Sequence, residues 1–426
     1  MRKEVITISR LAICKIVYCL VFLIAILINN NYLITCFAVL DIFISAIIII
    51  LVYKRNECLI NPLSIVLFVW GVLVPLTSFQ TIMMDALSHN EWIYCIIAEM
   101  AIIVGIIASN YSRVSKQKFV DAFELRKSKF RVLLFFLLIS ILAICIGFYI
   151  RGGITLFSAN VRQNMDKEIF MGYNILANLG TICVFCIFQD RKYIKNKLVI
   201  FLTAVYFVLL ILTAVRFSII IMVVLLMSTI TFNKKNMKKI IAGTTAIIAI
   251  FLYVNAYRKG IGDIQKYYVN TNLFSGDVKQ FYYTEIIRYF GMSQRLMGQW
   301  IDNFSPGVNV CKFTLYPLFK TFFIELSCVE NIYFYGYNAT NVVSYLYVDF
   351  GYLWPLILII WSYVWGKSFV NFRLRSNLMN RYWWSIGLVS YALSFYCYIY
   401  HYVYWLTYYP LFIYIICKFT LRKRRV

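Results

Sequence analysis

The sequence predicts an all-α integral membrane protein that crosses the bilayer about twelve times, with both chain ends in the cytoplasm. Composition is the first reason, because 62% of the 426 residues are hydrophobic and only 14% are charged, whereas soluble domains have about a quarter charged residues. The second reason is that apolar residues come in runs of about 20, the length of a membrane-spanning helix. The third is that lysine and arginine lie between these runs and favour alternate loops.

Each predicted span is an apolar run between polar or charged residues. The runs are 11–28, 32–53, 62–79, 92–110, 131–150, 171–189, 198–214, 217–233, 240–256, 341–366, 382–400 and 403–418. The segment 198–233 is too long for one span and carries one charge, Arg216, near its middle. We therefore place a tight turn at Thr213–Arg216. The first run is too long for a signal peptide and lacks a small-residue cleavage site, which predicts a retained span.

The basic residues are distributed unequally between alternate loops. One set of loops, with both chain ends, holds 30 of the 42 lysines and arginines, Lys15 being assigned to the N-terminal segment. The other set holds 12, of which eight lie in the long segment 257–340, where the charge rule does not apply. Because cytoplasmic loops are rich in basic residues, the first set is predicted to be cytoplasmic. The net charge of +24 therefore does not indicate a nucleic-acid partner, since no soluble basic stretch is long enough to form such a domain.

Residues 1–426 are predicted to form a single transmembrane domain with two larger external loops, 151–170 and 257–340. The second loop is rich in Tyr and Phe, which argues against disorder. Its segment 279–300 has the spacing of an interfacial helix. One face of this helix carries Tyr283, Ile286, Phe290 and Met297, and another carries Glu285, Arg288, Arg295 and Gln299. The apolar run Phe313–Leu326 contains Pro317 and Lys320 and is too short to span, so it is predicted to be re-entrant or interfacial.

Six arginines lie on the side where short loops avoid basic residues. They are Arg151, Arg162, Arg216, Arg258, Arg288 and Arg295. A guanidinium group binds phosphate oxygens in a bidentate manner, so these side chains are candidates for binding a lipid-linked pyrophosphate. Arg216 is the most costly to place, because it lies at or within the membrane boundary. The alternative is that these arginines snorkel or pair with loop carboxylates such as Glu168, Asp263 and Glu285.

Three acids lie in or at the end of predicted spans. Asp349, at the outer end of the span 341–366, is a candidate general base or the cap of a loop. Asp41 and Glu99 are candidates for proton relay or for hydrogen-bonded contacts within the helix bundle, and we favour the contacts. His89 and His401 are predicted to be external polar residues.

No phosphate-binding glycine loop and no zinc-ligand spacing occur in the sequence. Cys183 and Cys186 form a C-x-x-C pair inside a predicted span, where cysteine behaves as a small hydrophobic residue. Cys311 and Cys328 share the loop 257–340, where a disulfide and two free thiols are both compatible with the sequence.

The run from Asn338 to Tyr352 reads Asn-Ala-Thr-Asn-Val-Val-Ser-Tyr-Leu-Tyr-Val-Asp-Phe-Gly-Tyr and leads into an apolar span that ends at Gly366. This run resembles the O-antigen polymerase family, also called oligosaccharide repeat unit polymerases (Wzy-like). The turn around Arg216 resembles the arginine that this family has between two spans. The run Arg151-Gly-Gly-Ile-Thr-Leu-Phe, followed by Arg162, resembles the family's first large external loop.

This resemblance implies a membrane-embedded C-type glycosyltransferase. Such an enzyme joins undecaprenyl-pyrophosphate-linked oligosaccharides into O-antigen or a similar surface polysaccharide, at the outer face of the bacterial cytoplasmic membrane. It implies no metal and no cofactor, and its further partners would be a chain-length regulator and other polysaccharide assembly proteins.

The resemblance also suggests roles for the candidate residues. Arg216 would stabilise the leaving pyrophosphate, and Asp349 or Glu285 would accept a proton. The residues expected to bind substrate are Arg151, Arg162, Arg258, Arg288 and Arg295.

Three other functions remain open. An O-antigen ligase-type transferase has the same kind of fold and a large external loop. A lipid-linked oligosaccharide flippase also has about twelve spans, but its connections are expected to be short. A passive scaffold would leave the external arginines unexplained.

Overall fold

The computed structural model describes residues 2–56, 60–79, 86–111, 125, 127–157, 172–213, 216–228, 278–321, 340–375, 377–395 and 403–420. Every regular element in these ranges is a helix. Five helices are long and apolar enough to cross a membrane: Ile8–Leu27, Asn31–Lys54, His89–Ala108, Lys127–Ile150 and Val342–Leu374. The prediction of an α-helical membrane protein is thereby confirmed. The number of spans stays a prediction, and the predicted span 240–256 lies outside the described residues.

The helices are numbered here in chain order. They are α1 (Arg2–Leu27), α2 (Asn31–Asn56), α3 (Pro62–Phe68), α4 (Val74–Ser78), α5 (His89–Ala108), α6 (Lys127–Ile150), α7 (Tyr173–Ile187), α8 (Arg191–Ile194), α9 (Lys197–Leu212), α10 (Arg216–Ser228), α11 (Val278–Asn303), α12 (Lys312–Thr321), α13 (Val342–Phe350), α14 (Trp354–Leu374), α15 (Leu378–Leu393), α16 (Val403–Leu406) and α17 (Tyr408–Thr420). A π-helix, Val69–Leu73, connects α3 to α4, and a 3-10 turn, Gly351–Leu353, connects α13 to α14.

The chain forms two compact units, each built from three segments. Unit 1 comprises Met1–Lys118, Asp277–Arg375 and Ile386–Val403. Unit 2 comprises Phe119–Gly276, Ser376–Ser385 and Tyr404–Val426. The single transmembrane domain over 1–426 stays a prediction.

In unit 1, α1 and α2 form an antiparallel hairpin. Asn29, the residue type that best tolerates a left-handed backbone after glycine, has φ 61° in the connection. The rings of Tyr18 and Phe37 lie 6.0 Å apart across the hairpin. Helix α5 runs antiparallel to α1, with Phe22 and Trp92 5.3 Å apart at one end and Cys19 beside Glu99 further along. These three helices enclose a charged cluster of Lys15, Asp41 and Glu99.

The predicted span 62–79 is a helix with a local change of winding. Asn61 caps its start, because its side chain accepts a hydrogen bond from the Ser64 amide at 3.0 Å. The π-helix Val69–Leu73 comes directly before Pro75. Proline has no amide hydrogen for the Gly71 carbonyl and its ring clashes there, so the helical ladder must widen or kink near this point.

Helices α5 and α14 pack in parallel along their lengths. Tyr94 stacks on Trp354 at one end with centroids 5.8 Å apart, and Tyr111 contacts Phe369 at the other at 6.4 Å. Small residues permit this approach, since a Cβ on Gly105 would lie only 2.7 Å from the Ser362 Cβ. The Ser362 hydroxyl donates to the Ile102 carbonyl at 2.7 Å, which adds a polar contact between the two helices.

The predicted span 341–366 overlaps the candidate span Val342–Leu374, but the helix in it is interrupted. The structure breaks it at Gly351, which has φ 58° and ψ −138°, and the second helix then continues to Leu374. Apolar residues continue on both sides of Gly351, so the sequence pattern alone does not predict the break. The glycine is required there because a side chain strains the left-handed region.

In unit 2, α6, α7 and α9 pack around buried tyrosines. A Cβ on Gly180 would lie 2.5 Å from Cε2 of the Tyr206 ring, so only glycine leaves room for the ring at this position. The Tyr206 hydroxyl donates to the Ala177 carbonyl at 2.8 Å and accepts from the Thr181 amide at 3.0 Å. The predicted break within 198–233 is confirmed, because α9 ends at Leu212 and α10 begins at Arg216.

One end of unit 2 gathers loops that the charge count assigns to the same side. Asp190 accepts a hydrogen bond from the Leu125 amide at 2.8 Å, and Tyr193 stacks on Phe130 with centroids 4.0 Å apart. The Arg381 guanidinium donates to the Gln189 side chain at 2.7 Å. The loops 111–131, 190–197 and 367–381 therefore contribute residues to one end of this unit, as alternate crossing requires.

Candidate functional site

One end of unit 1 is built by α11 packing against α4, α5 and α13. Residues 291–300 of α11 are buried apart from Gln299. The Ser293 hydroxyl donates to the Phe395 carbonyl at 2.6 Å, and the Asn341 amide group contacts the Met297 sulfur at 3.2 Å. The helix predicted over 279–300 is confirmed, but its polar face is not solvent-exposed over this stretch.

Arg295 is the charged residue at the centre of this end. It was predicted on the polar face of α11, yet only 6% of its surface is exposed. Its Nη1 donates to the Thr77 carbonyl at 3.2 Å and to the Gly291 carbonyl at 2.8 Å. Neighbouring helices thus bury a cation that helical periodicity places outward, because periodicity does not record which faces are covered.

Glu91 is the carboxylate beside Arg295, and it is absent from the predicted site. A Cβ on Gly298 would lie 2.8 Å from the Glu91 Cγ, so the glycine admits this side chain against α11. The Ser88 amide donates to the Glu91 carboxylate at 2.7 Å, and the Ser88 hydroxyl accepts from the Glu91 amide at 3.3 Å. This capping box begins α5, and the Ser-x-x-Glu spacing before an apolar run is the sequence signal that marks it.

Asp349 is 3% exposed and caps the first turn of α12. Its carboxylate accepts hydrogen bonds from the Phe313 amide at 3.0 Å, the Thr314 amide at 2.6 Å and the Thr314 hydroxyl at 2.8 Å. An anion is also favoured there by the helix dipole. Of the two roles predicted for Asp349, the structure contains the capping contact.

The turn 307–311 closes the end of α13 in return. The last carbonyls of a helix lack partners within it. Here the amide of Gly307 donates to Tyr347, that of Asn309 to Val348, and that of Cys311 to Asp349, at 3.0, 3.0 and 3.2 Å. The run that resembles the polymerase family is therefore a short helix fixed at both ends, with Asn341 capping its start and this turn its finish.

Aromatic side chains surround this end of unit 1. Tyr94 lies between Tyr347, at 6.0 Å, and Trp354, at 5.8 Å. Tyr352, whose ring lies 6.3 Å from Tyr347, is 78% exposed. Tyrosine and tryptophan rings offer flat apolar faces with polar tips, which suits contact with sugar rings.

In unit 2, Arg151 and the start of α10 lie at the same end. The Arg151 guanidinium lies over the Tyr173 ring at 5.4 Å. Gly152, with φ 75°, ends α6 directly after Arg151. The Leu156 amide then donates to the Leu212 carbonyl at 3.1 Å, which ties the loop 151–157 to the turn before Arg216.

The remaining predicted residues are placed only in part. Arg162, Arg258, His401 and Cys328 lie outside the described residues. Glu285 and Arg288 lie on the α11 backbone and Arg216 is the first residue of α10, while their side chains lie outside the described parts. His89 is the first residue of α5. Cys183 and Cys186 are fully buried in α7.

Cys311 is a free, half-buried thiol within the part of the chain that the structure describes. Burial and the nearby Asp349 carboxylate raise the pKa of this thiol. It lies between α11 and α12, outside the candidate spans, and therefore reports on the segment 257–340.

Lys15, which the charge count assigns to the N-terminal segment, lies inside unit 1. It is fully buried and pairs with Asp41 from α2 and Glu99 from α5. The favoured interpretation of Asp41 and Glu99 as contacts within the bundle is confirmed. Hydropathy does not reveal such a pairing, because the three residues are far apart in sequence.

No family model, no curated protein and no solved structure matches this chain.

Proposed function

We propose that this protein is a glycosyltransferase that polymerises undecaprenyl-pyrophosphate-linked oligosaccharide repeat units at the outer face of the bacterial cytoplasmic membrane. The observation that carries the proposal is the position of the run Asn341–Gly351. This run resembles the O-antigen polymerase family, and it packs against the helix that carries Arg295 while its Asp349 caps α12. A substrate site at this end would combine a buried cation, a carboxylate and exposed aromatic rings.

Arg216 and Arg151 are the proposed contacts of the pyrophosphate. Arg216 is the first residue of α10, where backbone amides and the helix dipole already favour an anion. A cation at this position is unfavourable for the helix itself. A bound phosphate group at this position would offset the unfavourable charge of Arg216. Arg151 lies at the same end of unit 2.

The proposed reaction is a displacement at the anomeric carbon of the growing chain. A hydroxyl oxygen of the acceptor repeat unit bonds to that carbon as its bond to the pyrophosphate oxygen breaks. The bonding electrons leave with the pyrophosphate, whose charge an arginine side chain stabilises. The hydroxyl proton passes to a carboxylate. Asp349 already accepts three hydrogen bonds, so Glu91, beside Arg295, and Glu285, on the same helix, are the stronger candidates for this role.

The direction of the helices supports the proposed topology. Because α5 and α14 are parallel, an odd number of membrane crossings must lie between them if both span. The five spans predicted between residues 131 and 256 meet this requirement. The segments 86–91, 291–321 and 394–395, which meet at one end of unit 1, all adjoin loops that the charge count places outside.

A reconstituted reaction tests the proposal. The full chain in liposomes would be given one lipid-linked repeat unit, and the products would be separated by length. We expect a ladder of lipid-linked oligomers with release of undecaprenyl pyrophosphate in proportion to the bonds formed. A substrate that stays one unit long, in a preparation whose protein is folded, would refute polymerase activity.

A further inference from the structure

The interior of unit 1 contains three ionisable residues in direct contact. Lys15, Asp41 and Glu99 are 0%, 0% and 1% exposed. The Lys15 ammonium forms an ion pair with Asp41 Oδ1 and lies 3.1 Å from Glu99 Oε1. Each residue comes from a different helix, α1, α2 and α5. An arrangement of this kind requires tertiary structure and is costly to bury.

The charges in this cluster do not balance. Two carboxylates and one ammonium leave one negative charge when all three are ionised. In the described part of the chain, Cys95 of α5 lies one turn before Glu99 and bears no positive charge, and Tyr18 and Cys19 of α1 also face the cluster. The Tyr18 hydroxyl donates to the Phe37 carbonyl, and the Cys19 thiol donates to Glu99 Oε2 at 3.6 Å. Neither group supplies a positive charge, and an unpaired buried charge is unfavourable by several kcal/mol.

Three polar atoms of the cluster have unused hydrogen-bonding capacity. Within the described residues, Asp41 Oδ2, Glu99 Oε1 and the hydroxyl of the fully buried Ser45 have no hydrogen-bond partner, although Glu99 Oε1 is within ion-pair distance of Lys15. The Ser45 hydroxyl and Glu99 Oε1 both face the Cα of Gly71, where a Cβ would overlap the hydroxyl and lie 2.9 Å from Glu99 Oε1. Gly71 lies in the π-helix Val69–Leu73, a form of winding that is concentrated at functional sites.

We propose that this cluster is a binding site for one exchangeable proton, shared by Asp41 and Glu99 and neighboured by Ser45. One proton makes the cluster electrically neutral. The protonated carboxyl group can then donate a hydrogen bond, which an unprotonated carboxylate cannot. A metal cation fits less well. Lys15 already contacts both carboxylates, and hard metal cations take about six oxygen ligands.

The site lies on a helix that also reaches the Arg295 end of unit 1. Glu99 and Glu91 are eight residues apart on α5, which is about 12 Å along a helix. Loss of the proton leaves a net negative charge among α1, α2 and α5. Binding of the proton therefore affects the stability of packing between these three helices. This inference does not depend on the proposed transferase activity.

Infrared spectroscopy of the purified full chain in detergent tests the proton site. We expect the carbonyl stretch of a protonated carboxyl group at neutral pH, which shifts in D₂O and disappears at alkaline pH. Asp41→Asn and Glu99→Gln should each remove this band, because either change leaves one carboxylate to balance Lys15. Lys15→Met should enlarge the band, since two carboxyl groups then need protons. Asp302→Asn, at an exposed carboxylate, should leave the band intact.

Two results would overturn the site. One is the absence of a pH-dependent carboxyl band from the wild-type protein. The other is a band that persists in both Asp41→Asn and Glu99→Gln, with thermal melting showing each variant folded.

Replacing choline by Na⁺ at constant pH gives a test that needs no variant. The band should not change, and its loss would assign the site to a metal cation instead.

Discussion

At the scale of single residues, the structure separates charged groups that the sequence treats alike. Arg295, Lys15 and Asp349 are all buried and all bonded to neighbouring elements. Arg216 stands apart because it begins a helix, where its own charge is unfavourable. Removal of a charge that stabilises packing should lower the stability of the protein. Removal of a charge that binds a ligand should lower its activity.

Arg216→Ala should reduce polysaccharide polymerisation by about 100- to 1000-fold, the effect of removing one donor to a developing anion. Membrane insertion should be unchanged, because alanine is an excellent residue for a helix. The measurement is ladder length in cells, with an immunoblot of the membrane fraction. Lys197→Ala, at an exposed residue at the start of α9, is the matched control and should retain wild-type ladders. Normal ladders in Arg216→Ala would remove this residue from the pyrophosphate site.

Asp349→Asn should lower the stability of the protein more than its activity. An asparagine retains one acceptor oxygen but loses the charge that favours the α12 N-terminus, so we expect a loss of about 1 kcal/mol in the free energy of unfolding. Activity at permissive temperature should stay within about tenfold of wild type, because the carboxylate already acts as a cap. Thermal melting together with the reconstituted assay checks this. Full stability with abolished activity would instead make Asp349 the general base.

At the scale of elements, the sequence predicts helices well and their interruptions unevenly. The turn before Arg216 could be predicted because a largely apolar segment of 36 residues with one charge is longer than one span. The break at Gly351 could not, since apolar residues continue on both sides of it. Arg295 was placed on a polar face by periodicity, although α4 and α5 cover that face. The Ser88-x-x-Glu91 spacing predicts a capping box at the start of α5, but its proximity to Arg295 depends on α11 packing against α5, which no local pattern records.

Gly351→Ala should destabilise the protein by more than the strain of its backbone alone. A residue with a side chain in the left-handed region costs about 1–2 kcal/mol, and the new Cβ would also lie 3.3 Å from the Pro306 Cβ. Gly152→Ala is the matched control, because Gly152 has φ 75° but nothing within 4 Å of the added atom. The midpoint of thermal unfolding should fall further for Gly351→Ala. An equal fall in both would show that the contact with Pro306 contributes nothing.

At the scale of the whole molecule, the proposed function depends on the membrane topology as much as on any single residue. The charge count and the parallel direction of α5 and α14 agree on which loops share a side. Sequence could supply the apolar runs and the charge asymmetry, because both are local properties. It could not supply the division into two units or the ion cluster, which arise from contacts between distant segments.

Cys311 provides the test of topology. A membrane-impermeant maleimide should label it in intact cells, with peptide mapping by mass spectrometry and Cys311→Ser as the control. Because its pKa is raised, less thiolate is present at neutral pH than in an ordinary cysteine. The labelling rate should therefore be low at pH 7 and keep rising through pH values where ordinary thiols have levelled off. Labelling only after permeabilisation would place the segment in the cytoplasm and contradict the proposed mechanism.

The most direct measurement is the length distribution of surface polysaccharide, resolved by gel, in cells that lack this gene. If the protein is a polymerase, a single repeat unit remains on its final acceptor and the intact gene restores the full ladder. Loss of even the single unit would exclude the proposed polymerase function. Polymer that accumulates on its lipid carrier would then identify a ligase, and its absence would favour a flippase.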